Sequence, residues 1–273
     1  MRFKQVDVFT ERPFFGNPVA VVLDAEGLDT AAMQRIACWT NLSETTFLLP
    51  SAKADYRLRI FTPRQELPFA GHPTIGSAHA ALESGFVSRK QNLTQECGAG
   101  VMELTVEGNL IFVRGPTAKI SEIKSERIAA TLAVPARQLL RLDVGAVWVV
   151  GEVASAELLA GMKPDLSALA RESDELGVAG VTLFAAAKDA AIHVRSFAPA
   201  HAIPEDPVCG TGNLSVAAYL KHTKQLGRFG ERYTARQGMQ MGRDGRVSVR
   251  ITENKIEIGG HSVTCVEGSL RSP

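Results

Sequence analysis

The sequence predicts a mixed α/β protein in which one supersecondary unit is used twice, and three observations carry that reading. Arg59, Phe61 and Pro63 recur with the same spacing as Arg195, Phe197 and Pro199. After a short insertion, Pro68, Ala70, Gly71 and His72 are answered by Pro207, Cys209, Gly210 and Thr211. Each block then runs into an apolar, almost uncharged helical stretch, 74–84 and 213–221. A helix without a polar face belongs inside a fold, and strands curled around it would satisfy that. At 273 residues the chain suits two domains rather than one core. They are expected over 1–115, to which the C-terminal tail can contribute, and over 116–273, with the polar stretch 115–126 as linker.

Element by element, residues 3–9 and 18–23 read as β-rich segments joined by a Gly16-Asn17 turn. Asp29 or Thr30 can cap a helix over 31–39, whose Met33, Ile36 and Ala37 form an apolar stripe. A strand follows over 45–49. Tyr56, Leu58 and Ile60 then alternate with Arg57 and Arg59, the period of a half-buried strand. The 74–84 helix stops at Gly85, a residue suited to that position. In the second half, strands are expected over 144–150, 181–185 and 192–197 before the 213–221 helix. Short strands over 247–251, 255–258 and 262–266 close the chain.

Composition excludes several function classes. With 30 basic and 29 acidic residues, the net charge of +1 creates no field that would draw nucleic acid or an anionic membrane. No run approaches the roughly 18 apolar residues of a membrane span, and the first residues become charged too early for a signal peptide. A cytoplasmic protein with a small-molecule partner is expected. Cys38, Cys97, Cys209 and Cys265 are far apart, and the six histidines include no pair four apart on a helix, so neither a metal site nor a disulfide framework is expected.

The repeated block is itself a chemical device. A strand, a Gly-containing turn and a helix start present unpaired backbone N–H groups and a positive dipole end to an anion. Gly71 with His72, and Gly210 with Thr211, are the expected donors. Two such turns facing one cleft would hold a small carboxylate.

Ordered motifs along nearly the whole chain carry a family resemblance. Asp7-Val8-Phe9-Thr10, Gly16-Asn17-Pro18, Asn41-Leu42-Ser43-Glu44-Thr45, Arg59-Ile60-Phe61-Thr62-Pro63 and Leu67-Pro68-Phe69-Ala70-Gly71-His72-Pro73-Thr74 resemble the phenazine-biosynthesis-like (PhzF-like) isomerase family. Glu205-Asp206-Pro207-Val208-Cys209-Gly210-Thr211-Gly212, Gln237-Gly238-Met239-Gln240-Met241-Gly242-Arg243 and Val263-Thr264-Cys265-Val266-Glu267-Gly268 are similar to it too. The resemblance implies a diaminopimelate-epimerase-like fold: two pseudo-symmetric domains, each a barrel-like, mostly antiparallel sheet wrapped around a central helix. It also implies a cofactor-free isomerase of small anionic metabolites, commonly a homodimer, with substrate between the domains at the starts of the central helices.

By motif match the family's general acid/base falls on Glu44, supported by His72, Asp206 and Thr211, with Gly71, Cys209, Gly210 and Gly212 as substrate-binding positions. From local sequence alone, Glu44 reads as a solvated residue at a strand entrance, His72 as a satisfied structural histidine and Asp206 as a turn stabiliser. Thr211 departs from the serine usual in phenazine enzymes, keeping the hydroxyl and adding a methyl. Cys209 lies in a setting similar to one of the two cysteine motifs of diaminopimelate epimerase and proline racemase. Its repeat partner is Ala70, so a two-thiol inversion lacks its second acid, and Cys209 reads as a small buried residue near the helix start. Three functions stay open: a proton- or double-bond-shifting isomerase, a related epimerase or lyase, and a non-catalytic binder on the same fold.

Overall fold

The computed structural model describes residues 1–123 and 126–271. The chain divides into two compact units, Met1–Arg114 with Gly259–Pro273, and Gly115–Ile258.

In the first unit, β1 (Arg2–Val8) pairs antiparallel with β2 (Asn17–Val22), which runs parallel to β3 (Thr45–Leu49) across the helix α1 (Thr30–Thr40). Then β3 pairs antiparallel with β4 (Tyr56–Phe61), and β4 with the short β5 (Glu66–Leu67). After α2 (Gly71–Glu83), β6 (Asn92–Cys97) lies parallel to β4, and β7 (Gly100–Glu107) and β8 (Leu110–Arg114) continue antiparallel.

The local chemistry explains these elements. The Asp29 carboxylate caps α1 by accepting from the Ala32 amide at 2.7 Å, and Asn41 ends the helix in a left-handed conformation. Its Met33 and Ala37 pack with Phe47 and Phe61 on one face of the sheet. On the other face lies α2, which touches β1, β2, β3, β4 and β8. A helix rich in Gly, Ala and Ser is slim enough to be enclosed in this way. Its buried hydroxyls are satisfied, Ser77 by Thr46 at 2.8 Å and Thr74 by the Gln95 amide at 3.2 Å.

The second unit repeats the plan. After β9 (Lys119–Glu122) and α3 (Glu126–Thr131), β10 (Ala136–Asp143) pairs antiparallel with both β9 and β11 (Val147–Val153). Across α4 (Ala156–Gly161) and α5 (Leu166–Leu176), β11 runs parallel to β12 (Gly180–Ala186), followed antiparallel by β13 (Ile192–Ala198) and β14 (Ile203–Asp206). After α6 (Gly210–His222) and the single turn α7 (Leu226–Phe229), β15 (Arg232–Gln237) lies parallel to β13, and β16 (Gly245–Ile251) pairs with β15. The next strand is β17 (Ile256–Gly260), and the last, β18 (Ser262–Ser269), returns to the first unit to pair antiparallel with β1. The order of parallel and antiparallel neighbours from β10 to β16 matches that from β1 to β7, which is the expected repeated fold.

Alternation along these strands separates two layers. Val149, Val181, Leu183 and Phe197 face α3, α4 and α5 in one core. The opposite face holds α6, buried along nearly its whole length, with Tyr219 edge-on to Phe184 at 5.3 Å. Both units also repeat an Arg over a Phe ring with a Glu clamp: Arg59 with Phe61 and Glu66, and Arg195 with Phe197 and Glu205.

One expectation is corrected. The stretch 115–126 is not a plain linker, because β9 lies inside it and is hydrogen-bonded to β10; residues 124 and 125 lie outside the described residues.

Candidate active site

Glu44 stands directly before β3, on a turn held from both sides. Its carbonyl accepts from the Ala20 amide of β2 at 3.3 Å, and the Thr40 and Thr45 hydroxyls meet across the turn at 2.6 Å. The local sequence suggested solvent, yet only 14% of the Glu44 side chain is exposed. Burial pushes its carboxyl up to about 7, against a smaller downward pull from the Ser43 hydroxyl. Glu44 Oε2 is buried and makes no hydrogen bond of good geometry. His72 Nε2 approaches it to 3.3 Å, a close polar contact out of hydrogen-bond alignment.

His72 is the second residue of α2, and its side chain is 8% exposed. The helix begins without a side-chain cap, because Ala70 occupies that position. The Gly71 amide therefore opens the helix without an intrahelical partner, and Pro73 contributes none. The first unit thus brings together three sequence-predicted residues, Glu44, His72 and Gly71.

The second unit brings together the other five at the start of α6. Asp206 ends β14, and its carboxylate accepts from the Val208 amide at 3.0 Å, making an Asx turn into the helix. Cys209 is the N-cap residue, and its sulfur accepts from the Gly212 amide at 3.3 Å. Burial, with the nearby Asp206 charge, holds the Cys209 thiol well above the ordinary cysteine range. The Gly210 and Thr211 amides have no intrahelical acceptor. A side chain at Gly212 would collide with the hydroxyls of Thr182 and Ser196, so glycine lets α6 lie close against β12 and β13.

Two neighbours were absent from the sequence-predicted set. The Trp148 indole donates to the Thr211 hydroxyl at 3.0 Å, so that hydroxyl is oriented from β11. Gln237 bridges Asp206, Cys209 and Asn213. Its place at the head of the Gln237–Arg243 motif was the available signal. For Trp148, no local pattern marked a contact 63 residues away. Among the described residues no group of three or more His, Cys, Asp or Glu side chains could hold a metal, and no helix is long and apolar enough to cross a membrane.

Residues 6–268 match the family described as phenazine biosynthesis-like protein. The chain belongs to that family. It is 38% identical to antisense-enhancing sequence 1 of Schizosaccharomyces pombe, over 97% of each chain. It is 32% identical to the trans-2,3-dihydro-3-hydroxyanthranilate isomerase of Pseudomonas aeruginosa, over 98% of each. Among solved structures, a PhzF-family phenazine biosynthesis protein of Bacillus anthracis superposes with a TM-score of 0.86 at 26% identity, over 99% of each chain. This PhzF-like chain is an isomerase, as its relatives are.

For a PhzF-like isomerase the arrangement has direct chemical meaning. A carboxyl that titrates near neutrality can take a proton from carbon and give it back at one pH. A thiol held protonated by burial is poorly placed to do the same.

Proposed function

We propose that this PhzF-like isomerase moves a proton, together with its double bond, within a small unsaturated amino- or hydroxy-substituted carboxylic acid, with Glu44 as the single general acid/base. The observation that carries the proposal is the Glu44 carboxyl, buried beside His72 and raised to about 7. As a carboxylate it removes a proton from one carbon, and the electrons of that C–H bond enter the conjugated system as a new double bond forms. As the resulting acid it returns the proton to a second carbon on the same face. One proton leaves and one arrives, with no net electron transfer, so the step balances without a cofactor.

In the same proposal, His72 hydrogen-bonds the amine or hydroxyl substituent of the acid, and Asp206 and Thr211 bind and polarise polar groups of the substrate. The amides around Gly71 and Gly210, with Gly212 and Cys209 shaping the second helix start, receive a carboxylate. Support for this substrate class comes from the Pseudomonas aeruginosa relative, named for isomerising a dihydro-hydroxyanthranilate. The family resemblance extends the proposal to a cytoplasmic homodimer, and sedimentation of the purified protein checks the dimer.

Incubation in deuterium oxide with trans-2,3-dihydro-3-hydroxyanthranilate and a panel of small unsaturated acids tests the reaction type. Deuterium should enter a carbon position of at least one acid while its double bond shifts. No double-bond shift in any of them, with or without deuterium entry, would overturn the proposed reaction.

A further inference from the structure

The Gln237–Arg243 motif is not used by the chemistry above, yet it meets the catalytic half of the second unit directly. Gln237 is the last residue of β15 and is fully buried. Its side-chain oxygen accepts from the Cys209 amide at 3.2 Å and from Asn213 Nδ2 at 3.0 Å, while its Nε2 donates to the Asp206 carbonyl at 3.0 Å. One carboxamide therefore spans the turn from Asp206 to the first turn of α6. The following loop presses on the same turn. At Gly238, where φ is +95°, a side chain would collide with the Pro207 carbonyl. The loop is closed by a bond from the Arg243 amide to the Gly238 carbonyl at 2.9 Å.

The first unit supplies an internal comparison. Its equivalent strand ends at Cys97, which pairs with Gly100 as Gln237 pairs with Gly245. There the hairpin is only Gly98-Ala99, and the residue before Pro68 is Leu67 where Asp206 precedes Pro207. The unit with the acidic turn is thus the one with a glutamine as the last residue of this strand and with the longer loop.

We propose that Gln237 is a positioning residue for the reaction. Its carboxamide fixes the backbone of Asp206 relative to the open amides of Gly210 and Thr211, so that all three meet substrate in one geometry. This rests on the reading of function given above. Misplacement by about 1 Å can cost about a hundredfold in rate, and loss of the clamp should appear in both kcat and KM.

The test compares wild type, Q237M and Q237E with whichever small acid the wild type exchanges in deuterium oxide, beginning with trans-2,3-dihydro-3-hydroxyanthranilate. Folded Q237M should lose about tenfold to a hundredfold in kcat/KM, with KM raised. In Q237E the two acceptor contacts remain, but the second oxygen faces the Asp206 carbonyl and can donate to it only when protonated. Relative to wild type at the same pH, its activity should therefore recover as pH falls. Wild-type kcat and KM in folded Q237M, or a Q237E that matches wild type at every pH, would overturn the proposal. Failure of both variants to fold at any pH would make Gln237 a fold residue and overturn it as well. If Q237M alone fails to fold, the acid rescue of Q237E decides. Should the wild type exchange no acid, the reading of function fails separately, and positioning is then read in the Trp148 indole N–H resonance. That resonance should shift in folded Q237M and return in Q237E at low pH; an unmoved resonance counts against the proposal.

Discussion

The His72 imidazole stands 3.3 Å from the Glu44 carboxylate, from the start of α2 to the turn before β3. Two short-range features thus meet through a fold that encloses α2, and burial there, rather than any neighbouring acid, raises the carboxyl. The expected consequences concern rate, pH and stability.

Glu44→Gln keeps shape and removes the ability to accept a proton. Turnover of the exchanged acid should fall about a hundredfold to ten-thousandfold, the usual cost of losing a general acid/base, while calorimetric affinity for that acid stays close to wild type. Activity close to that of wild type would remove Glu44 from the chemistry.

The pH dependence has a definite sign. Glu44 must begin as a carboxylate, so kcat/KM should rise with pH, with a slope of about one log unit per pH unit below the titration, and level off above about 7. Initial rates from pH 5 to 9 check this. A flat profile through neutrality would contradict it.

The same shift carries a stability cost. Because the Glu44 carboxyl is raised from 4.5 to about 7, the native chain binds more protons than the unfolded chain inside that window, and stability falls as pH climbs through it. The full effect is on the order of 3 kcal/mol. Glu44→Gln cannot titrate, so its melting temperature relative to wild type should climb between pH 4.5 and 7. A constant difference across that range would show an unshifted carboxyl.

The repeated Arg clamps should differ in strength. The Arg195 side chain, 8% exposed, binds Glu205 through two nitrogens and also the Leu159 and Met162 carbonyls at the C-terminal end of α4. Arg195→Ala should cost about 3 kcal/mol, since it strands a largely buried carboxylate. The Arg59 pair is more open, and Arg59→Ala should cost about 1 kcal/mol. Denaturant unfolding of both variants ranks them, and an equal loss would count against burial as the cause.

Thiol reactivity should follow exposure. Cys38 is exposed, whereas Cys97 and Cys209 are buried with their thiols pushed up. A disulfide reagent at pH 8 should label Cys38 rapidly and Cys209 only on unfolding, and Cys209→Ser should leave turnover nearly intact. Fast labelling of Cys209 in the native protein would restore a thiolate role.

Much of this architecture was legible because its signals are local. Asp29 is the expected cap of α1, β3 has the expected limits, and the two apolar helices are enclosed. Both helices begin three residues earlier than their apolar pattern suggested. Their N-cap positions carry Ala70 and Cys209 in place of the usual Ser, Thr, Asp or Asn. The polar strand β9 was hidden because hydrogen bonding to β10, rather than apolar alternation, makes it a strand. The helix α5 carries its own local signals, since Asp165 caps it and Gly177 ends it, although no helix is expected there from the apolar pattern. Glu44 could not be placed from its own neighbours, since β2, the end of α1 and the start of α2 all enclose it.

The return of β18 to β1 has a consequence for how the chain is made. Met1 and Leu270 exchange backbone hydrogen bonds at 3.0 and 2.9 Å, so the earliest and latest segments of the first unit lie side by side. On the ribosome, residues 115–258 emerge as one continuous stretch that holds the described elements from β9 to β16. The first unit, although begun earlier, keeps one side of β1 unpaired until β18 is synthesised. During that interval an open strand edge is available for mispairing. The unit translated first is therefore the one that finishes folding last.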